Sequence, residues 1–201
     1  MNVTDAIRTR RTIRFYQQTP VPPAVLHELV DAARLAPSAA NLQPLEFVAV
    51  HDPKVAAKVF PTLGWASYVA PRRNPPEGKR PVAYIVVLLN RKIRASGAQH
   101  DVGAAVQNLL LAAWEKGIGA CWLTSGNRAQ LRQILGIPEH LEIDCLISLG
   151  YPAEQPVAEK MTDSVKYYLD ERDTLHVPKR ILTDILHENC YAEPRVGREA
   201  P

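Results

Sequence analysis

Residues 8–14 read Arg8-Thr9-Arg10-Arg11-Thr12-Ile13-Arg14, which puts four guanidiniums and the Thr12 hydroxyl within a few positions. Arginine donates from a rigid planar fork that matches phosphate oxygens, and it stays charged at any working pH. Guanidiniums gathered this closely repel one another, so a fold that collects them usually collects an anion too. At an effective dielectric of about 20, a phosphate oxygen roughly 4 Å away gains on the order of 4 kcal/mol before desolvation. A solvated basic helix end would have the same residues, and this stretch alone does not separate the two.

Two more stretches have the makings of a site. Ala36-Pro37-Ser38-Ala39-Ala40-Asn41-Leu42-Gln43-Pro44 holds small side chains, one hydroxyl and two amides between prolines. Such a loop lets its backbone approach a flat ligand, and Asn41 and Gln43 each offer a donor beside an acceptor, as a heterocycle edge requires. A proline-rich turn capping a neighbouring helix is the plainer reading. Thr124-Ser125-Gly126 forms the turn between a strand and a helix. Its glycine has no Cβ to crowd a ring and reaches positive φ cheaply.

The elements that must position these residues follow from pattern. Thr4-Asp5 opens a short first helix, and residues 12–16 run extended into Pro20, Pro22 and Pro23. Pro23 suits a first helical position, and Leu26, Leu29, Val30 and Ala33 follow at helical spacing until Pro37 ends the run near Ala36. A strand is expected over Leu45–Val50, then a helix capped by Asp52 and reaching about Phe60. Residues 61–81, rich in Pro, Gly and Arg with Trp65 and Tyr68, form a long irregular loop that suits a pocket wall. The apolar run 83–89 reads as a doubly buried strand. His100–Lys116 reads as a helix closed by Gly117 and apolar on nearly every side, hence buried, with a subunit interface the natural place. A strand over 118–123, a helix from Asn127 to Leu135 ended by Gly136, and an alternating strand over 141–149 complete this part. Further on, 165–169 and 175–177 suit a hairpin, and Pro178 introduces a last amphipathic helix with Ile181, Leu182, Ile185 and Leu186.

Composition bounds the function. A chain of 201 residues, 46% hydrophobic and 22% charged, fits one large soluble domain or two small ones. A net charge of +3 is too mild for a nucleic-acid binder. No apolar run spans a membrane and no leader opens the chain, so a cytoplasmic location is expected. Cys121, Cys145 and Cys190 lack metal-ligand spacing, and their odd number argues against a disulfide framework. Alternation places Cys145 in the core. His187, Glu188 and Cys190 have no second cluster to complete a metal site, so no metal is expected. No nucleophile–base pair stands out either.

RRTIRFY, PVP opening a helix, and ARLAPSAANLQP leading into FVAV resemble the flavin-dependent nitroreductase family. The similarity continues through DVGAAVQNLLLAAWEKGIGACWLTSG to IDCLISLGYP, covering most of residues 3–152. The resemblance implies an α+β fold, a mixed β-sheet flanked by helices, forming an intertwined homodimer with FMN in the subunit interface. It implies NADH or NADPH as electron donor and a small electron-poor acceptor, a nitroaromatic or quinone, in a ping-pong reaction carried by flavin N5 and no catalytic side chain. Arg10, Arg11 and Thr12 resemble the phosphate and ribityl contacts, and Arg14 stands where a basic side chain faces the flavin pyrimidine edge. Pro37, Ser38, Ala39 and Asn41, with Gln43, resemble the segment that the second subunit lays over the isoalloxazine. Thr124, Ser125 and Gly126 resemble the turn whose backbone N–H approaches N5. Lys179 and Arg180 resemble a basic pair that closes on the phosphate. The chain is thus expected to be one flavin-binding domain, with 153–201 an extension embracing the partner. Relatives of this fold also dehalogenate aromatics, reduce enones or cleave reduced flavin, and a non-catalytic flavin-binding module is a further alternative. Thr12, where the flavin-cleaving type has aspartate, weighs against that branch.

Overall fold

The structure, a computed structural model, describes residues 1–191. Two compact units divide at Gln155/Pro156. In the first, strands β1 (Leu45–Val50), β2 (Ala83–Asn90), β3 (Gly119–Leu123) and β4 (Leu141–Gly150) form one sheet in the order β1-β2-β4-β3, every neighbour antiparallel. β2 is central because its run Ala83–Leu89 is buried throughout and needs cover on both faces. On one face lie α2 (Pro23–Arg34) and α4 (Gln99–Glu115), whose Leu26, Leu29, Val106 and Leu109 pack with Ile85, Val87 and Ile147. On the other, α3 (Pro53–Val59) and α5 (Arg128–Leu135) bring Val59 and Leu131 to Tyr84, Val86 and Leu146.

Local chemistry fixes the ends of these helices. Asp52 Oδ1 accepts from the N–H groups of Lys54 and Val55, and Asn127 Oδ1 from Gln130 N–H. Gly136 adopts the left-handed conformation that closes α5. The first helix, α1 (Val3–Thr9), starts one residue earlier than expected because Asn2 Oδ1 accepts from Asp5 N–H.

Residues 12–16 are extended but pair only at single points: Thr12 lies parallel to Ala120, and Tyr16 bridges to Pro152. Parallel pairing of the mixed kind enters the first unit only through that Thr12 contact. Ile13 donates its N–H to Ala120 O at 3.0 Å, and its side chain sits directly on Gly119, where a Cβ would lie 2.7 Å from Ile13 Cγ1. Glycine at the start of β3 is what lets the arginine segment lie flat against the strand.

α4 buries Val102, Ala105, Val106, Leu109, Leu110 and Ala113 against its own sheet and α2. Its Leu111 and Ala112 line an open groove of about 390 Å³ with Met1, Val3, Ala6 and Leu35. Met1, Val3 and Leu35 are exposed, as is Ile7 on α1. Among the described residues, no helix is long and apolar enough to cross a membrane.

The second unit is a three-stranded sheet, β5 (Val157–Lys160), β6 (Tyr168–Leu169) and β7 (Leu175–Lys179), in the order β5-β7-β6. The hairpin about 170–174 forms as the sequence suggests, with Asp170 Oδ1 accepting from Arg172 and Thr174 N–H. β5 pairs parallel with β7, a partnership four short residues did not announce. A clasp crosses this sheet. His176 Nδ1 lies 2.7 Å from Glu159 and its Nε2 3.2 Å from Asp170, while Tyr168 stacks on the imidazole and donates to Glu159. The Glu159 hydrogen bond, then Asp170, raises the imidazole pKa above its ordinary value. The last amphipathic helix does not form. β7 pairs through Lys179, taking Pro178 with it, and among the described residues that follow only a 3-10 turn at Leu182–Asp184 forms.

Candidate functional site

The arginine stretch splits in two. Arg11 turns back to the end of α1, where its guanidinium donates to the carbonyls of Arg8 and Arg10. Arg10 behaves differently. It is half-buried, and among the described residues it meets no hydrogen-bond partner and no carboxylate. Burial first, and then the neighbouring charge of Arg11, push its pKa below the ordinary arginine value. Because successive residues of an extended segment alternate, Arg10, Thr12 and Arg14 share one side and Ile13, fully buried, takes the other. The Tyr16 hydroxyl locks the far end by bonding to Ile13 O and to Ser148 on β4.

Thr124, Ser125 and Gly126 continue β3, so Ser125 lies about 16 Å beyond the Thr12–Ala120 contact at the usual rise per residue. Their turn is braced from two sides. Gly64 N–H donates to Ser125 O, and Asn127 N–H to Thr62 O at 2.7 Å. Arg128 donates to the carbonyls of Thr124, Ile143 and Asp144. The N–H groups of Ser125 and Gly126 make no hydrogen bond within the described residues, so two main-chain donors stand open. Gly126 has the positive φ expected of it, 156°, and its Cβ would meet Thr62 O at 2.6 Å, so the neighbouring loop also demands glycine there.

The loop 36–44 carries local strain. Ala40, Asn41 and Gln43 all have positive φ, near 50°, at order 1–2 kcal/mol each for residues with a Cβ. Ser38 Oγ accepts from Gln43 N–H, and the Gln43 amide donates to Asn41 O at 3.2 Å, so that amide points back into its own loop. Pro37 and Ser38 line a cavity of about 170 Å³ with Gln43, Phe47 and Asp101, and Ala39 and Asn41 are exposed. Asp101, in the first turn of α4, escaped the sequence reading. Its Oδ1 accepts from Ala39 N–H at 3.2 Å while Oδ2 pairs with Arg94 at 2.9 Å, and its side chain is 5% exposed. An aspartate opening a helix normally signals only a favourable dipole contact, which is why nothing marked it. Asp101→Ala is expected to lose about 1–3 kcal/mol and to speed amide exchange in residues 37–43. Unchanged exchange there would mean the loop is held otherwise.

Within the first unit these parts stay apart. The loop feeds β1 at one edge of the sheet, and Thr12 lies beyond β3 at the other, four strand spacings or about 19 Å away. Lys179 and Arg180 belong to the second unit, at the end of β7, where Arg180 donates to Asp184 O.

The family model described as "Nitroreductase family" matches residues 7–151. The chain belongs to the nitroreductase family. A protein of Methanothermobacter thermautotrophicus, provisionally named NADH dehydrogenase/NAD(P)H nitroreductase, is 33% identical over 176 residues, 85% of this chain and 88% of that one. A Parabacteroides distasonis structure with the same provisional name has a TM-score of 0.70 at 26% identity, covering 95% of this chain and all of the other. A provisionally named nitroreductase from Desulfovibrio desulfuricans, in complex with FMN, has a TM-score of 0.64 at 26% identity over 81% and 93% of the two chains. The nitroreductase relatives include an iodotyrosine deiodinase of Haliscomenobacter hydrossis, 29% identical over 170 residues, 72% of this chain and 77% of that one.

Proposed function

We propose that this nitroreductase-family chain is a cytoplasmic, FMN-dependent oxidoreductase that passes electrons from NADH or NADPH to a small electron-poor acceptor such as a quinone or nitroaromatic. With a quinone the balance is NAD(P)H + H⁺ + quinone → NAD(P)⁺ + hydroquinone. Bound FMN supplies the chemistry by accepting a hydride at N5 and releasing two electrons.

The observation that carries this reading is Arg10, a half-buried guanidinium that meets no hydrogen-bond partner and no carboxylate among the described residues, in a segment bridged to β3, the strand that leads to the N–H groups of Ser125 and Gly126. An elongated ligand with a phosphate at one end and a ring at the other suits that spacing. Arg10, with Arg11 and Thr12, takes the phosphate and ribityl end. Arg14 places positive charge at the pyrimidine edge, which favours the reduced, anionic ring. The Ser125–Gly126 N–H groups donate towards N5. A second copy of this chain supplies Pro37, Ser38, Ala39, Asn41 and Gln43 from above, because the loop lies across the sheet in the same protomer. The exposed Met1, Val3, Ile7 and Leu35, with the half-buried Leu111 and Ala112 of α4, form the contact between copies. The second unit is the extension that embraces the partner, with Lys179 and Arg180 as its candidate cofactor contacts.

Reductive dehalogenation on the same cofactor is the second reading, favoured by the deiodinase relative. Oxidation of NADH and NADPH by FMN-loaded protein, with a quinone, a nitroaromatic or 3-iodo-L-tyrosine as acceptor, decides between them. Turnover with quinone or nitroaromatic and no iodide release is expected. Iodide release with neither of the other two acceptors reduced overturns the first reading, and no oxidation of either nicotinamide overturns both.

A further inference from the structure

We infer that Glu154 is a positioning residue for Arg14, and that its two oxygens do separate work. This rests on the FMN reading above. Oε1 accepts from two successive backbone N–H groups, Arg14 at 2.5 Å and Phe15 at 3.1 Å. Oε2 faces Arg73 Nε at 3.5 Å, and the side chains of Arg73 and Glu154 are only 3% and 7% exposed. Three segments therefore converge on one carboxylate: the arginine stretch, the residues following β4, and the middle of loop 61–81.

The surroundings show what each contact holds. Residues 15–17 and 151–153 are joined by Gln17 N–H to Tyr151 O and Ala153 N–H to Phe15 O, and Glu154 extends this pairing to Arg14. With its peptide fixed at both neighbours, Arg14 keeps only side-chain freedom in aiming its guanidinium. On the other oxygen, Arg73 lies over the Phe15 ring at 4.7 Å, and Lys79 lies over the same ring at 5.2 Å. Tyr16 N–H donates to Lys79 O, so the loop's end is tied down beside its middle. A buried ion pair gives little net stability but is costly to break on one side, which suits a device for fixing geometry. A cation displaced by about 1 Å loses much of its effect on a charge forming beside it.

The two oxygens predict a split between variants. Glu154→Gln keeps an acceptor for the Arg14 and Phe15 N–H groups but breaks the pair with Arg73. Arg73→Gln does the same from the other side. Glu154→Ala loses both contacts. The readouts are FMN affinity, the two-electron midpoint potential of bound FMN, and amide exchange in the apo-protein at residues 14–15 and 61–81. Glu154→Ala should cut the preference for reduced over oxidised FMN about tenfold, roughly 30 mV downward for a two-electron couple. It should also speed exchange at Arg14 and Phe15. Glu154→Gln and Arg73→Gln should loosen loop 61–81 yet leave the potential and the Arg14 exchange near wild type. A Glu154→Ala protein with unchanged potential and exchange overturns the inference. So does a Glu154→Gln protein whose potential falls as far as that of the alanine variant. Wild-type protein that takes up no FMN refutes the proposed function itself, and exchange in the apo-proteins then still decides whether Glu154 holds Arg14.

Discussion

Arg10→Ala is expected to weaken FMN binding roughly 10- to 100-fold while leaving riboflavin binding within about threefold. Hydrogen bonds to charged groups contribute about 1.5–3 kcal/mol, and every 1.4 kcal/mol is tenfold in affinity. Among the described residues the Arg10 guanidinium makes no hydrogen bond or ion pair, whereas Arg11 also holds the end of α1. Arg11→Ala should therefore lower both cofactor affinity and helix stability. Arg10→Ala should leave the apo-protein as stable as wild type or more so, because burial and Arg11 already disfavour its charge. Titration of apo-protein with FMN and with riboflavin, followed by flavin fluorescence, gives both affinities. Equal losses for the two ligands would mean that Arg10 does not read the phosphate.

Gly126→Val should damage the fold before it damages chemistry. The added Cβ would sit 2.6 Å from Thr62 O, and valine strongly disfavours the φ of 156° found there. Overpacking of this kind costs about 1–3 kcal/mol and a forbidden backbone region about 1–3 more. For a chain of this size the sum lowers Tm by roughly 4–24 °C. The β3 turn and loop 61–81 are joined there, through Leu63 opposite Gly126, so their amide exchange should rise together. Ser125→Ala should be mild, since the open donors are main-chain groups. A Gly126→Val protein with wild-type Tm would show that the Thr62 segment yields easily, and would return the glycine to the role of sparing a ring.

What the sequence reveals here is what local chemistry encodes. Asp52, Asn127 and Gly136 mark helix ends because their side chains, or the lack of one, act within a few residues. The unbroken run Ala83–Leu89 declares a central strand, and the alternation over 141–149 places Cys145 inside. The bracket of prolines around 36–44 flags a stiff loop, yet alanine at position 40 gives no hint of a left-handed backbone, and Asn41 gives only a weak one. Contacts between distant segments leave no local trace. Asp101 reaching Ala39, Glu154 reaching Arg14 and Arg73, and β5 beside β7 all depend on the assembled fold. The expected C-terminal helix failed for the same reason, since pairing with β5 draws Pro178 and Lys179 into a strand. Gly126 is the instructive middle case. Its identity signals a tight place correctly, but the atom that makes it tight, Thr62 O, lies in another part of the chain.

On the proposed function, two copies of this chain build one kind of site and hold FMN in it. Light scattering on a sizing column, with flavin absorbance recorded across the same peak, tests it in one run after reconstitution with FMN. A single yellow species of about twice the 22.3 kDa chain mass is expected, releasing about one FMN per chain on denaturation. A yellow species at the mass of one chain, or a colourless one at any mass, would contradict it.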